Sequence, residues 1–105
     1  DFSHPNKLSE QEKRSVEDLI NKIINEKIDV NMEEMPYKKA IEEGALAFFK
    51  EKYPEIVKVY SIGDFSKEIC AGPHVKNTKA LGQFKIISEK SSAKGVRRIK
   101  AVLIE

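Results

Sequence analysis

Cys70 and His74 stand four positions apart in Cys70-Ala71-Gly72-Pro73-His74; Cys70 is the chain's single cysteine and His74 one of its two histidines. A thiolate and an imidazole are the usual zinc donors, and a hydrolytic zinc takes about three protein ligands with one position kept for water. Residues i and i+4 share a face on a helix, but Gly72-Pro73 forbids a helix here. The pair must sit at a strand end or in a loop, where glycine lets the backbone pass close to a bound group. A plainer role fits the same residues. A single Cys is often a small buried hydrophobe, and a single His a hydrogen-bonded polar group. Spacing leaves both open.

The elements that must hold this segment read as follows. Ser9-Glu10-Gln11-Glu12 is a capping box, the Ser9 hydroxyl capping while Glu12 reaches back. Val16, Leu19, Ile20, Ile23, Ile24 and Ile28 then recur at three-four spacing, with Lys13, Arg14, Glu17, Asp18, Asn21 and Lys22 opposite. That pattern predicts an amphipathic helix of about five turns whose apolar stripe the later strands cover. Val30 to Met35 alternates as a half-buried strand, and Pro36 opens a short helix through Ala40 and Ile41 that stops at Gly44. Ala45 to Phe49 suggests another helical turn, with Phe48 or Phe49 entering the core, ended by Tyr53-Pro54. Ile56 to Ile62 alternates as a strand, Gly63-Asp64 turns, and Phe65 to Cys70 returns. Strands near Phe84–Glu89 and Val96–Ile104 flank a polar loop, Ser91 to Gly95. The expected class is α+β, a mainly antiparallel sheet packed against one long amphipathic helix plus one or two short ones.

Composition bounds the partners. A chain of 105 residues, 40% hydrophobic and 34% charged, suits one soluble domain with a modest core and not disorder. No apolar run approaches the roughly 18 residues of a membrane span, and no signal-peptide pattern is present. One cysteine cannot close an internal disulfide, which fits a reducing cytoplasm. The chain opens Asp1-Phe2-Ser3-His4 without methionine, so a piece of something longer is expected. Net charge is only +2, yet Lys76, Lys79, Lys85, Lys90, Lys94, Arg97, Arg98 and Lys100 face the single acid Glu89 over that stretch. Such a basic third suits a polyanion such as RNA, and equally a solvated strand face.

Further motifs occur in order. They are Asp1-Phe2-Ser3-His4-Pro5, Glu34-Met35-Pro36, Glu51-Lys52-Tyr53, Gly63-Asp64-Phe65, and Ser66 through Val75 with Cys70-Ala71-Gly72-Pro73-His74. Thr78, Gly82-Gln83-Phe84-Lys85-Ile86, Ser88-Glu89 and Gly95 through Val102 follow. The series resembles the editing domain of alanyl-tRNA synthetases. This is the second additional domain that they share with threonyl-tRNA synthetases and with free-standing alanyl-tRNA editing proteins. The likeness covers nearly the whole chain.

The resemblance implies a domain that hydrolyses a wrong amino acid, serine or glycine, from the 3′ end of an alanine tRNA. A pocket for alanine rejects such neighbours by only roughly 1–3 kcal/mol, so a second hydrolytic sieve is needed. It implies a zinc site joining an upstream His-x-x-x-His pair to Cys70 and His74. The first pair does not occur, since the other histidine is His4 of the Asp-Phe-Ser-His motif. Residues 1–105 are therefore expected to form a single domain that is part of an editing domain lacking that segment. Its zinc site would be incomplete and the isolated piece inactive, while the parent is a deacylase or alanine-tRNA ligase. The sequence holds no ATP-binding motif of its own.

Glu68 matches an acidic position of the family. Alternation would put it on one strand face with Cys70, where a carboxylate can position water or an amino group, so it is the candidate catalytic residue. Lys85, Arg97 and Arg98 are the candidate tRNA-binding residues, and Lys52 is a further cation that could approach the tRNA end. Adjacent strand arginines point to opposite faces, so one is expected on phosphate and the other on a carboxylate. Pro73 stands where the alanyl type has Thr, and Cys-x-Gly-Pro-His is the threonyl-type pattern. A threonyl-type editing domain, a non-catalytic tRNA-binding module and a metal-free structural domain are the alternatives.

Overall fold

The computed structural model describes residues 1–47 and 53–105. These form two compact units, one of Asp1–Glu26 with Lys79–Glu105, the other of Lys27–Thr78. In chain order the elements are β1 (Phe2–Ser3), α1 (Glu10–Asn25), β2 (Val30–Pro36), α2 (Tyr37–Glu42), β3 (Ile56–Ile62), β4 (Ser66–Ile69), a 3-10 turn (Thr78–Leu81), β5 (Gln83–Ala93) and β6 (Val96–Ile104). The class is α+β, with two antiparallel three-stranded sheets in the orders β1-β6-β5 and β2-β3-β4. A single sheet was the expectation, and it is corrected here. The reason lies at the edges.

In the first unit α1 starts where the capping box places it. The Ser9 hydroxyl accepts from the Glu12 amide at 3.0 Å, and Glu12 Oε1 accepts from the Ser9 amide at 2.9 Å. The helix runs for 16 residues, shorter than the apolar periodicity suggests, because Ile28 lies beyond its end. Glu17 and Asn21, read from the sequence as part of the polar face, serve the backbone of β5 instead. The Asn21 side chain accepts from the Phe84 amide at 2.7 Å and donates to the Phe84 carbonyl at 3.0 Å. Glu17 accepts from the Ile86 amide at 2.9 Å. An edge strand with unpaired groups would otherwise invite another strand. β1 adds to β6, with Phe2 opposite Arg97.

The β5–β6 hairpin is longer than expected. Strand structure reaches Ala93, with register shifts between Ile86 and Ser88 and between Ser91 and Ala93, so only Lys94-Gly95 is left to turn. Pairing sorts its side chains. Lys85 faces Val102, Ser88 faces Lys100 and Lys90 faces Arg98, which places these on one surface. Glu89 faces Ile99 and Ser91 faces Arg97 on the other. Gly82 enters β5 at φ +75°, where a Cβ would lie 2.4 Å from the Ile104 carbonyl oxygen.

The second unit is a sheet with one apolar side. Met35, Val57, Val59 and Ile69 alternate inward and bury against Ala40 and Ala45, with Tyr37 and Tyr53 packed around them. The short helix forms as expected, Tyr37–Glu42, with Pro36 as its N-cap, Glu43 as its C-cap and Gly44 just beyond at φ +86°. Ala45–Ala47 do not continue as a helical turn. Leu46 instead bridges β4 in parallel, its amide donating to the Lys67 carbonyl at 3.0 Å and its carbonyl accepting from the Ile69 amide at 2.9 Å. Phe48, Phe49 and Lys52, singled out from the sequence, lie outside the described residues. Among the described residues no helix is long and apolar enough to cross a membrane.

Two stability predictions follow from the first unit. Gly82→Ala should cost more than the roughly 1 kcal/mol of a left-handed residue, since its Cβ meets a carbonyl that cannot move freely; a urea midpoint within error of wild type would contradict this. Hydrogen bonds from Arg97 hold the Glu89 carboxyl below its ordinary 4.5. A carboxyl depressed in the folded state stabilises above its unfolded value and loses that contribution as pH falls through the folded one. Glu89→Gln should lower the urea midpoint at neutral pH and flatten its decline below about pH 4.5.

Candidate metal centre

The apolar side of β2-β3-β4 fixes what the other side presents. Ile69 is buried, so its neighbour Glu68 points the opposite way, and Cys70 follows it. Glu68 stands directly opposite Tyr60 on β3, and Tyr60 opposite Met32 on β2. Cys70 lies one residue past β4, yet its amide donates to the Lys58 carbonyl at 3.1 Å and so prolongs the ladder. With Leu46 on the outer side, the backbone from Lys67 to Cys70 is bonded along both edges. The turn before it spans Gly63, Asp64 and Phe65, one residue longer than the expected Gly63-Asp64, so Phe65 belongs to the turn and not to the strand.

After Cys70 the chain folds back as a loop, as the Gly72-Pro73 pair requires. The Gly72 amide donates to Cys70 Sγ at 3.4 Å. Gly72 has no positive φ, and a Cβ there would meet only Sγ at 3.6 Å, so glycine is not demanded by the backbone. His74 turns inward. Its Nδ1 lies 3.1 Å from the Gly72 carbonyl oxygen and its Nε2 lies 3.1 Å from Glu68 Oε1. The ring stacks on Tyr60, centroids 3.7 Å apart and planes 13° from parallel. The loop's far end is pinned by Thr78, which is buried: Oγ1 accepts from the Ile28 amide at 2.9 Å, while the Thr78 amide donates to the Ile28 carbonyl at 2.9 Å. Asn77 donates to the Lys27 carbonyl and to Asp29 Oδ1 at 2.8 and 2.9 Å.

One donor atom each from Glu68, Cys70 and His74 lies within 4.8 Å of the others, all half-buried. Tetrahedral zinc ligands at about 2.0–2.3 Å sit about 3.3–3.8 Å from one another. A shift of about an ångström closes the set, and sulfur, nitrogen and carboxylate oxygen are the donors zinc takes. The imidazole supports the fit. Both its nitrogens face oxygen acceptors, and a neutral ring has one N–H to give. If Nδ1 donates to Gly72, Nε2 turns a lone pair toward the Glu68 carboxylate, an arrangement that a cation between them would relieve. The residues present therefore fit a metal.

The candidate tRNA-binding residues lie in the other unit. Arg97 grips Glu89 through Nε at 2.6 Å and a terminal nitrogen at 2.9 Å. The Glu89 side chain has no exposed surface, and Arg97 retains 16%. Arg98 bonds Asp1 at 2.8 and 3.0 Å and stays half exposed. One arginine was expected on a carboxylate and the other free for phosphate. Both are on carboxylates, because β1 brings Asp1 alongside β6. Arg98 and Lys85 share the exposed surface of the hairpin; Arg97 is on the other.

The amino-acid sequence has relatives among known proteins. Residues 57–100 match the family model described as the threonyl and alanyl tRNA synthetase second additional domain. The chain belongs to that domain family. Its relatives include an alanine–tRNA ligase of Treponema denticola, 55% identical over 103 residues, 98% of this chain and 17% of that protein. Another is an alanine–tRNA ligase of Borrelia hermsii, 50% identical over 105 residues, 100% of this chain and 18% of that protein. The alanine–tRNA ligase of Pseudothermotoga lettingae is 46% identical over 102 residues, 97% of this chain and 12% of its own length. The chain is thus an alanyl-type member, and it spans under a fifth of these relatives.

Sequence reading placed Glu68, Cys70 and His74 but missed Tyr60, whose signal was its alternation phase with Lys58 and Ile62. The pinned loop yields a prediction. Thr78→Val keeps the shape but strands the Ile28 amide, at a cost of about 1–3 kcal/mol. Thr78→Ser should recover most of it, read as the urea midpoint.

Proposed function

We propose that this chain contributes the metal-binding half of an editing centre that hydrolyses mischarged aminoacyl-tRNA, serine or glycine carried on an alanine tRNA. The observation that carries the reading is the convergence of Glu68, Cys70 and His74 on one small volume. Cys70 and His74 would hold zinc, and the bound ion supplies Lewis acidity and one exchangeable position. The family likeness implies that an upstream His-x-x-x-His pair completes the set. In the reaction water adds to the ester carbonyl, the carbonyl–oxygen bond to the ribose breaks, and the proton passes to the ribose oxygen. Glu68, beside the pair on the same strand face, accepts the proton of water and orients the amino group. Its 3.1 Å approach to His74 Nε2 also suits a third ligand, which is the second reading.

Charge on the hairpin supports tRNA as the partner. Lys85, Lys90, Arg98 and Lys100 stand on one exposed surface, and Lys90 lies directly opposite Arg98. Like charges across a ladder cost stability, which a phosphate backbone would recover. We read Arg98 and Lys85 as phosphate contacts and Arg97 as the brace that holds Glu89. In the same reading α1 backs this hairpin, supported by the Asn21 and Glu17 bonds to β5. A free thiol at the centre suits the reducing cytoplasm in which tRNA is charged.

The test uses the full natural protein and Ser-tRNA of the alanine type. Cys70→Ala should reduce deacylation at least 100-fold together with zinc content; undiminished hydrolysis would remove Cys70 from the chemistry. Glu68→Gln separates its two roles. Loss of hydrolysis with zinc retained marks a base, and loss of both marks a ligand. A protein that binds tRNA but never deacylates is the non-catalytic module. Lys85→Glu with Lys90→Glu should weaken tRNA binding and lower the salt slope by about 0.7–0.9 per lost contact.

A further inference from the structure

Tyr60 has no part in the reading above, yet it makes the closest ring contact in the centre. It belongs to β3, the middle strand, and is paired on one side with Met32 and on the other with Glu68. His74 by contrast rides on a loop. Its Nδ1 contact to Gly72 fixes one direction of the imidazole, and the terminal torsion of a histidine is broad. The Nε2 contact to Glu68 fixes a second point on the ring's edge, both contacts lie at that edge, and Tyr60 is what lies against its face.

The stacking geometry says more. Centroids 3.7 Å apart with planes 13° from parallel lay one ring over the face of the other, offset by at most about 1.5 Å when the planes are about 3.4 Å apart. Neutral aromatic pairs usually keep their centroids about 4.5–7 Å apart, so this contact is a close one. An imidazole whose lone pair is given to a cation is drained of electron density and is drawn to a tyrosine face. We infer that Tyr60 is a positioning residue for His74: its ring holds the imidazole plane so that Nε2 stays beside Glu68 and Cys70 while Nδ1 stays on Gly72. The inference rests on the metal-centre reading and adds a residue to it. It needs the ring and not the hydroxyl.

The experiment uses the full natural protein, loaded with zinc or with cobalt(II) as a spectroscopic substitute. Tyr60→Leu should weaken zinc binding 10–100-fold in chelator competition, the usual effect of losing an outer-shell partner. It should also alter the visible cobalt bands, whereas Tyr60→Phe should keep both at wild-type values. Wild-type affinity and an unchanged cobalt spectrum in Tyr60→Leu would overturn the inference. A second measurement holds even if that variant fails to fold. In metal-free wild-type protein with labelled histidine, the His74 ring protons should be shifted upfield by the Tyr60 ring current, and Tyr60→Phe should preserve the shift. Absence of the shift in wild type overturns the stack and the role with it. Presence of the shift without any Cys70-dependent metal uptake overturns the metal reading, and the positioning role falls as its consequence.

Discussion

The register of β3 against β4 is the constraint on which the centre depends. Ile62 pairs with Ser66 across a turn of Gly63, Asp64 and Phe65, and that pairing puts Tyr60 opposite Glu68. With a two-residue turn the register would slip by one, and Glu68 would stand opposite Val59, whose side chain points into the core. Strand side chains alternate, so a slip of one position exchanges the faces of a whole strand. Burial forbids that exchange here. Val59 is 1% exposed and Ile69 3%, and neither can leave the cluster of Met35, Val57, Ala40 and Ala45 without exposing it to water. A hydrophobic core on one side therefore holds a polar constellation on the other.

The loop that carries His74 solves a complementary problem. It has no ladder of its own, and its geometry is imposed from both ends. Cys70 is tied to β3 through Lys58, while Asn77 and Thr78 are tied to the segment Lys27–Asp29 that leads into β2. The short path between these anchors leaves Gly72-Pro73 to make the bend. Ladder, loop and stacked ring together bring a sulfur, a nitrogen and a carboxylate to one place, and the left-handed backbone this uses falls at the anchors, at Lys27 (φ 55°) and Gly63 (φ 49°), and not at the three donors.

Much of this was legible in the amino-acid string, for reasons that can be named. The Ser9 capping box, the alternation of Ile56–Ile62 and the grouping of Glu68 with Cys70 follow from local rules, so they were readable without knowledge of the fold. The motif series around Cys70 and His74 carried the family. What escaped notice depends on partners distant in sequence. Glu17 and Asn21 look like solvated helix residues until β5 supplies the backbone groups they bond. Arg98 looks free until Asp1, 97 residues earlier, is placed beside it. The division into two sheets turns on edges closed by side chains and by Leu46, and no periodicity announces an edge. Tyr60 was hidden by a turn one residue longer than its Gly-Asp signature suggests.

The bridge made by Leu46 has a bearing on how folded copies of this chain meet one another. β4 is four residues long and would otherwise offer a bare row of amides and carbonyls along its outer margin. By occupying the Lys67 carbonyl and the Ile69 amide, Leu46 removes the template on which a foreign strand would nucleate. The margin of β4 next to Cys70 is thereby closed to strand addition, and the free thiol stays within its own chain's loop.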